Sequence, residues 1–305
     1  MVNVKTPKKN KVTGNLGYFK QQKRLAAAFV IPPMLLFTIF VIFPLVMGAV
    51  LSLTDYNVIK SPTFIGLENF KRALTDPYFY KAMWNTFRYV IYVVPASIIV
   101  QLLAAVLVSK NRPFVGFFRL CFYIPSLTSS VALTMIWRQI LNNNGLLNNL
   151  LAKFSIAGPN WLTSTEWVML GIALMTVWGT IGPNMLLFTS ALQNVPEELY
   201  EAARVDGAGT IRTFFSITLP CIGPTTFLIT TTGIIAGLQA FETLMLLTEG
   251  GPAWSTTTIT YYIYTMGMTK LEMGYAIAMA WLLFLVIAIF VAINKRLNHE
   301  TSDLF

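Results

Sequence analysis

The sequence predicts an all-α integral membrane protein with six transmembrane helices, and two observations support this fold class. The 305-residue chain is 55% hydrophobic but only 11% charged, whereas about 25% of the residues are charged in an ordinary soluble protein. The charged residues are clustered, so that six long stretches carry none. Each stretch can supply the roughly 17–25 apolar residues that cross a bilayer. Because hydrocarbon offers the backbone no hydrogen-bond partners, such segments are expected to be helices.

The six predicted spans form a single transmembrane domain over residues 25–294, between tails at residues 1–24 and 295–305. The first span follows a basic tail and is too long for the core of a signal peptide, so it is expected to remain in the protein. The approximate bounds of the spans are residues 25–53, 87–108, 120–140, 167–192, 218–241 and 273–294.

The distribution of basic residues predicts that both termini are cytoplasmic. Residues 1–24 contain lysines and an arginine but no acid, and residues 110–119 and 295–296 are basic as well. Basic residues beside membrane helices favour the cytoplasmic side, and six crossings return the chain to that side. The net charge of +9 is therefore interpreted as an orientation signal, and no nucleic-acid partner is expected. The predicted location is the bacterial cytoplasmic membrane, with the lipid bilayer as a partner.

The sequence shows no constellation that predicts an enzyme. The one histidine, His299, lies in the polar tail, and Cys121 and Cys221 are too far apart for a metal-ligand spacing. We expect no metal and no cofactor on this chain. The chain also has no Gly-x4-Gly-Lys-Ser/Thr phosphate loop, so ATP hydrolysis would have to take place on another subunit.

Three connections are expected on the outer side, at about residues 55–85, 142–166 and 242–272. The first contains an amphipathic stretch, Leu67 to Leu74, that predicts a short surface helix. Turns are expected at residues 142–145 and 250–252, where Asn, Gly and Pro are concentrated.

The cytoplasmic connection at residues 193–216 predicts a short acidic helix. Glu197, Glu198 and Glu201 favour the positive end of a helix dipole. Small residues at 202 and 203 allow another surface to approach closely, and Gly207 is expected to end the helix. Asp206 is expected to cap the segment that follows. A helix of this kind would lie across the mouth of the bundle.

This connection resembles the EAA coupling loop of ABC importer permeases over twenty positions. The matching residues are Glu201-Ala202-Ala203, then after two residues Asp206-Gly207-Ala208, after five Phe214, after two Ile217, and after one Leu219-Pro220. The resemblance implies the type I importer permease fold and a coupling helix that inserts into a cleft on an ATPase subunit. It assigns the coupling role to Glu198, Glu201, Ala202, Ala203, Arg204, Asp206 and Gly207, with both alanines in the cleft.

Two further segments resemble the carbohydrate branch of that family, whose members import maltose-type sugars or glycerol-3-phosphate. They are Gly66-Leu67-Glu68-Asn69-Phe70 with Asp76-Pro77, Phe79 and Asn85-Thr86, and Gly250-Gly251-Pro252 with Ser255-Thr256 and Tyr262-Ile263-Tyr264. The resemblance implies a sugar or oligosaccharide solute delivered by an extracellular solute-binding protein. It further implies a second homologous permease subunit and two ATPase subunits that bind ATP and Mg²⁺.

The fourth and fifth spans contain the residues expected to contact the solute. They are Trp178, Thr180, Pro183 and Asn184 in the fourth span, and Gly237, Gln239 and Glu242 in the fifth. Irregular backbone is tolerated at membrane depth where it lines a cavity, although a packing kink remains an alternative. A tryptophan ring suits a pyranose, and the two amides can bond hydroxyls. Glu242 lies either on a polar pathway or at the outer rim.

Maltose-type permeases carry asparagines on the inner face of the fifth span, whereas this sequence has Gly237 and Ala240 there. The maltose contacts therefore cannot be transferred to this chain. A charged solute such as glycerol-3-phosphate is an alternative within the same class. A secondary transporter or channel is an alternative of another class, but it would have no use for a coupling loop and would be expected to carry buried ionisable residues.

The predicted topology can be tested by labelling single cysteines from each side of the membrane. In a chain whose two native cysteines have been replaced, Asn143→Cys should react with an impermeant thiol reagent from outside the cell. Thr210→Cys should react only from inside, because it lies in the predicted cytoplasmic connection. If both positions react from the same side, the count of six crossings is wrong.

Overall fold

The computed structural model describes residues 16–109 and 113–302. Within these ranges the chain is helical, and an isolated antiparallel bridge joins Thr54 to Phe64. The chain divides into two units, residues 1–51 and 52–305. The single transmembrane domain over residues 25–294 stays a prediction.

The first unit is one long apolar segment. Helix α1 (Leu16–Phe37) continues through a wide turn at Thr38–Ile42 into α2 (Phe43–Leu51). Two prolines, Pro32 and Pro33, lie inside α1. Residues 25–51 are long and apolar enough to cross a membrane. Most of the predicted basic tail lies outside the described residues.

The second unit contains the remaining helices, which differ greatly in length. The long ones are α4 (Pro77–Ser109), α8 (Val168–Gln193) and α15 (Met273–Ser302). The others are α3 (Glu68–Thr75), α5 (Val115–Leu127), α6 (Ser130–Ile140), α7 (Leu146–Lys153), α9 (Glu197–Val205), α10 (Thr210–Thr213), α11 (Leu219–Cys221), α12 (Gly223–Leu238), α13 (Glu242–Thr248) and α14 (Ile259–Tyr264).

The described residues contain four helices that can cross a membrane on their own, and up to six spans if two bent pairs are each counted as one. In the first pair the chain bends by 103° between α5 and α6. In the second it bends by 68° between the segment 210–221 and α12. The predicted third and fifth spans, at about residues 120–140 and 218–241, thus correspond to bent pairs of helices. Local chemistry explains both breaks. Ser129 caps the start of α6 by accepting a hydrogen bond from the Ala132 amide at 3.3 Å, and a proline lies in the first turn of α12.

The second span also begins earlier than predicted, because α4 starts at Pro77 rather than near residue 87. A proline fits the first position of a helix, where its missing N–H costs no hydrogen bond. The predicted short helix near residues 67–74 is α3, and the short helix α7 follows the predicted turn at residues 142–145.

The core of the second unit is built where α4, α8 and α12 pack together. One apolar cluster joins Ala104, Ala105 and Val108 of α4 to Ile181, Met185 and Phe188 of α8 and to Ile222 and Ile229 next to and within α12. Close packing also joins α5 to α8 at Gly182, where a Cβ atom would lie 2.8 Å from the Cα of Tyr123. Any larger residue there would force these helices apart.

Asp76, Tyr262 and Tyr275 form what we call the tyrosine–aspartate cluster, beside the N-terminal end of α4. The Asp76 carboxylate accepts hydrogen bonds from the Tyr262 hydroxyl at 2.6 Å and the Tyr275 hydroxyl at 2.7 Å. Burial alone would raise the pKa of Asp76, but the two tyrosines and the amides of Tyr78 and Phe79 hold it below its ordinary value. The cluster therefore joins the start of α4 to α14 and α15.

A second set of contacts joins α4 to the segment at residues 250–258. The Asn85 side chain donates to the carbonyl oxygens of Trp254 at 2.7 Å and Thr257 at 3.1 Å. The Thr86 hydroxyl accepts from the Ile259 amide at 2.9 Å. The two segments that resemble the carbohydrate branch are distant in sequence, yet they contact each other at this end of the protein.

The tyrosine–aspartate cluster should contribute measurably to stability. Asp76→Asn leaves both tyrosine hydroxyls with a neutral acceptor, and losing charge-assisted bonds should cost roughly 1–3 kcal/mol. We expect a lower midpoint of thermal unfolding for the purified protein, with Asp55→Asn as a control because Asp55 is exposed. An unchanged midpoint for Asp76→Asn would show that the cluster is not stabilising.

The stabilisation that Asp76 contributes should be lost at low pH. The pKa of Asp76 in the folded chain lies below its ordinary value of 3.8, so the stabilisation is complete above that value and is lost as the pH falls through the folded pKa. The difference in unfolding midpoint between wild type and Asp76→Asn should therefore be constant at neutral pH and shrink below about pH 4.

Candidate functional site

One face of helix α9 packs against the rest of the chain, and the opposite face is exposed. Ala203 is buried at 6% exposure, and Tyr200 packs on the apolar cluster of α4, α8 and α12. The Tyr200 hydroxyl is hydrogen-bonded to the Thr218 hydroxyl at 3.1 Å. These contacts hold α9 against the end of α8 and the segment that leads into α12.

The opposite face of α9 is exposed and carries most of the residues predicted to couple. Glu198, Glu201, Ala202 and Arg204 are all exposed, and Val205 is 88% exposed. Acidic residues occupy the first turn and an arginine the last, as the helix dipole favours. The two alanines predicted to enter the cleft differ in accessibility, because Ala203 is buried inside this chain and Ala202 is exposed.

The end of α9 depends on Gly207, which has a positive φ of +70°. The Ala208 amide donates to the Ala203 carbonyl at 2.9 Å, and the Gly207 amide donates to the Arg204 carbonyl at 3.1 Å. This paired bonding is the Schellman ending, which favours glycine because a side chain is strained at positive φ. Asp206 was expected to cap the next segment, but it is the exposed C-cap of α9 itself.

A cavity of about 270 Å³ lies between α4, α8 and α12. Its walls are apolar with several polar side chains, and none of the described residues that line it is charged. The lining residues are Tyr89, Val93, Val94, Ser97, Ile98, Gln101, Thr176, Thr180, Asn184, Ile229, Thr232, Gly233, Ala236 and Gly237. A concave, mostly apolar site with a few polar groups is typical of small-molecule binding sites.

Three of the predicted solute residues, Thr180, Asn184 and Gly237, line this cavity. The other four are outside the lining. Trp178 packs against Trp137 with ring centroids 5.8 Å apart, and Pro183 is an exposed residue within α8.

The remaining two predicted residues, Gln239 and Glu242, lie beyond the end of α12. Gln239 is the exposed C-cap of α12, and Glu242 begins α13. The exposed Glu242 carboxylate accepts a hydrogen bond from the Ser130 hydroxyl of α6. The helix break after Leu238 is what carries both side chains away from the cavity.

Helix α4 contributes polar residues to the cavity that the sequence analysis missed. The Tyr89 hydroxyl is hydrogen-bonded to the Thr176 hydroxyl at 3.1 Å, and the Gln101 amide nitrogen donates to the Thr180 carbonyl at 3.1 Å. Ser97 lies one turn before Gln101 on the same face. The signal that could have identified them was a pair of polar residues four positions apart inside an apolar span.

Comparison with known proteins identifies the family. Residues 94–303 match the family described as binding-protein-dependent transport system inner membrane component. The chain is 34% identical to the arabinooligosaccharides transport system permease protein AraP of Bacillus subtilis, over 96% of this chain and 94% of that protein. It is 32% identical to the lactose transport system permease protein LacF of Rhizobium radiobacter, over 86% of this chain and 89% of that protein.

A solved structure shows the same fold. A chain from the crystal structure of a bacterial ABC transporter involved in the import of the acidic polysaccharide alginate superposes with a TM-score of 0.80, at 23% identity, over 93% of this chain and 98% of that chain. The predicted all-α importer permease fold is thereby confirmed, whereas the orientation of the termini stays a prediction. The protein therefore belongs to the family of binding-protein-dependent transport system inner membrane components, multi-pass membrane subunits that serve as transport components of ABC transporters.

Proposed function

We propose that this chain forms half of the translocation pathway of an ATP-driven importer for an uncharged sugar or oligosaccharide. The observation that carries the proposal is α9, a short helix whose acidic and apolar outer face has no role in the chain's own core. Such a face needs a partner, and a separate ATPase subunit is the partner that the EAA-type sequence implies. ATP and Mg²⁺ bind on that subunit, and this chain contributes no catalytic residue.

The complete assembly in this proposal contains one copy of this chain, a second homologous permease, two ATPase subunits and an extracellular solute-binding protein. Both termini and α9 lie on the cytoplasmic side of the bacterial membrane, as the basic residues favour. The exposed coupling residues are Glu198, Glu201, Ala202, Arg204, Asp206 and Gly207.

Movement of α9 can reach the cavity through direct packing. Tyr200 contacts the apolar cluster that includes Met185 and Phe188 of α8. The same cluster includes Ile229 of α12, and Ile229 also lines the cavity. A contact that differs between two states of the ATPase can therefore change the helices around the solute, which is what coupling requires.

The chemistry of the cavity supports an uncharged solute. A phosphate or carboxylate group is normally bound by arginine, lysine or several backbone amides, and no such cation is among the described residues that line the cavity. Threonine hydroxyls and the amides of Asn184 and Gln101 suit sugar hydroxyls instead. The relatives named above transport arabinooligosaccharides and lactose, which are sugars of this kind.

Two alternatives remain distinguishable by experiment. An importer of an anion such as glycerol-3-phosphate would share α9 but would require a cationic site, which the partner permease would have to supply. A secondary transporter or channel would not need an ATPase or a coupling helix. Uptake by the reconstituted assembly separates them, because a sugar importer requires ATP and transports a neutral probe such as arabinotriose.

The coupling role of α9 can be tested with two substitutions on its exposed side. Glu201→Lys reverses a charge on the proposed contact, and Gly207→Val places a β-branched residue at φ +70°. Both chains should still insert into the membrane, but they should co-purify less ATPase or lose solute-stimulated ATP hydrolysis. Glu166→Lys is the matched control, because Glu166 is equally exposed but lies before α8, at the opposite end of that helix from α9. Normal hydrolysis and transport in both test variants would remove α9 as the coupling element.

The cavity can be tested by filling it from α12. A Cβ atom on Gly233 would lie 3.7 Å from the nearest Val94 atom, an ordinary contact, so a longer side chain extends into the cavity. Across Gly233→Ala, Gly233→Val and Gly233→Leu, uptake should fall progressively while ATPase co-purification stays normal. Full uptake by an assembled Gly233→Leu complex would place the solute elsewhere.

A further inference from the structure

Hydroxyl groups inside apolar helices usually bond to a carbonyl of their own helix, four residues earlier. The threonines around the cavity follow this rule. The bonds run from Thr176 to Ile172 at 3.0 Å, from Thr180 to Thr176 at 3.0 Å, from Thr230 to Thr226 at 2.7 Å and from Thr232 to Leu228 at 2.8 Å. These hydroxyl protons are therefore already engaged within the protein.

Ser97 of α4 does not follow the rule. Its side chain is only 8% exposed and lines the cavity, yet its Oγ has no hydrogen-bond partner among the residues that the structure describes. A buried polar atom without a partner is destabilising, and more so at membrane depth, where lipid offers no substitute. Its position in the wall of the cavity is therefore unusual enough to require an explanation.

Gln101 has the same property one helical turn later. The residue is 1% exposed and lines the cavity, and its Oε1 atom has no partner within residues 16–109 and 113–302. Its Nε2 atom donates to the Thr180 carbonyl at 3.1 Å and lies 3.3 Å from the Thr180 hydroxyl. Because that carbonyl can only accept, it fixes the orientation of the amide and leaves Oε1 as an acceptor.

The two atoms lie on one side of α4. Residues four apart stand above each other on a helix, about 6 Å apart along its axis. One sugar ring could therefore contact both. Each atom can accept a hydrogen bond from a ligand hydroxyl, and Ser97 can also donate one. In this conformation both atoms are shielded from solvent, so contact with a ligand requires side-chain rotation. For Ser97 this is a change of χ1 rotamer, and for Gln101 it is a rotation that releases the hydrogen bond from Nε2 to the Thr180 carbonyl.

We propose that Ser97 and Gln101 form the hydroxyl-recognising subsite of the cavity, and that this pair selects an uncharged, hydroxyl-rich solute over an anionic one. The inference rests on the proposed function, since it assumes that the cavity holds the transported solute. The Gln101 Oε1 atom can only accept, so it attracts ligand O–H donors and repels the acceptor oxygens of a phosphate or carboxylate, while the Ser97 hydroxyl adds a group that can accept from or donate to a sugar hydroxyl. The pair is thus a specificity determinant that the sequence resemblance does not assign.

The test compares variants that remove the acceptors with almost no change in volume. Ser97→Ala and Gln101→Met should each weaken binding of arabinotriose to the assembled, reconstituted complex by about tenfold, the effect of losing one hydrogen bond of ordinary strength. Binding is measured by equilibrium dialysis without the solute-binding protein, whose own affinity would otherwise dominate. Ser97→Thr keeps the hydroxyl and should retain most of the affinity.

A structural role is separated from a binding role by thermal unfolding. Removing the unpaired Ser97 hydroxyl should leave the unfolding midpoint unchanged or raise it. The matched control is Thr189→Val in α8, which removes a buried hydroxyl bonded to the Met185 carbonyl at 2.7 Å, outside the cavity lining. This control should lower the midpoint and leave arabinotriose affinity unchanged. A lower midpoint with unchanged affinity for Ser97→Ala would overturn the subsite.

Uptake by the wild-type assembly distinguishes failure of the subsite from failure of the proposed function. Arabinotriose, lactose and glycerol 3-phosphate are supplied with the solute-binding protein and ATP. If a neutral sugar is imported but the Ser97→Ala and Gln101→Met variants bind it as tightly as wild type, the subsite inference is wrong and the importer function stands. If only glycerol 3-phosphate is imported, the uncharged-sugar assignment and the subsite are both overturned.

Discussion

The constraint on which the structure depends is that polar groups on α4 must find partners inside the protein. This helix runs from Pro77 to Ser109 and is packed along much of α8, so few of its buried polar groups can reach water. At its first turns Asn85 and Thr86 bond to the segment at residues 254–259, and in the middle Tyr89 bonds to Thr176. Each of these bonds draws another part of the chain onto α4.

Polar side chains near the N-terminal end of α4 have hydrogen-bond partners, whereas two buried acceptors further along the helix have none in the part of the chain that the structure describes. At the N-terminal end, the tyrosine–aspartate cluster and the Asn85 contacts join three distant segments into one firmly bonded region. Further along, Ser97 and Gln101 line the cavity, and the Ser97 Oγ and Gln101 Oε1 atoms have no hydrogen-bond partner among the described residues. Protein interiors rarely leave buried polar atoms in this state, so a ligand that supplies donors is the natural complement.

In the proposed function, helix α9 is the element through which the membrane bundle receives force from the ATPase subunit. Its inner face is fastened to the core through Tyr200 and Ala203, whereas its outer face is free of the core and carries both charge and apolar area. Because Met185, Phe188 and Ile229 belong to the same packed cluster, displacement of α9 is transmitted to helices that line the cavity. Close packing allows such transmission because the interior has little free volume to absorb a shift.

The sequence alone determined the fold class, the six apolar segments and the position of the short acidic helix α9. These features depend on local properties: the length of an apolar run, the scarcity of charge and the spacing of Glu201, Gly207 and Pro220. The sequence also determined that Gly207 would end α9, because the preference for glycine at a positive φ is a local property as well.

Only the tertiary structure decided which side chains share the cavity. Helix α12 ends at Leu238, so Gln239 and Glu242 lie outside the cavity lining. Ser97 and Gln101 line the cavity, although they belong to a predicted span to which the sequence assigned no solute contact. Likewise Ala203 is buried and Ala202 is exposed, although the two are adjacent and chemically identical. Whether a side chain is buried, exposed or directed toward the cavity depends on helix bends and on neighbouring helices that are far away in sequence. A local pattern of residue types gives no information about either.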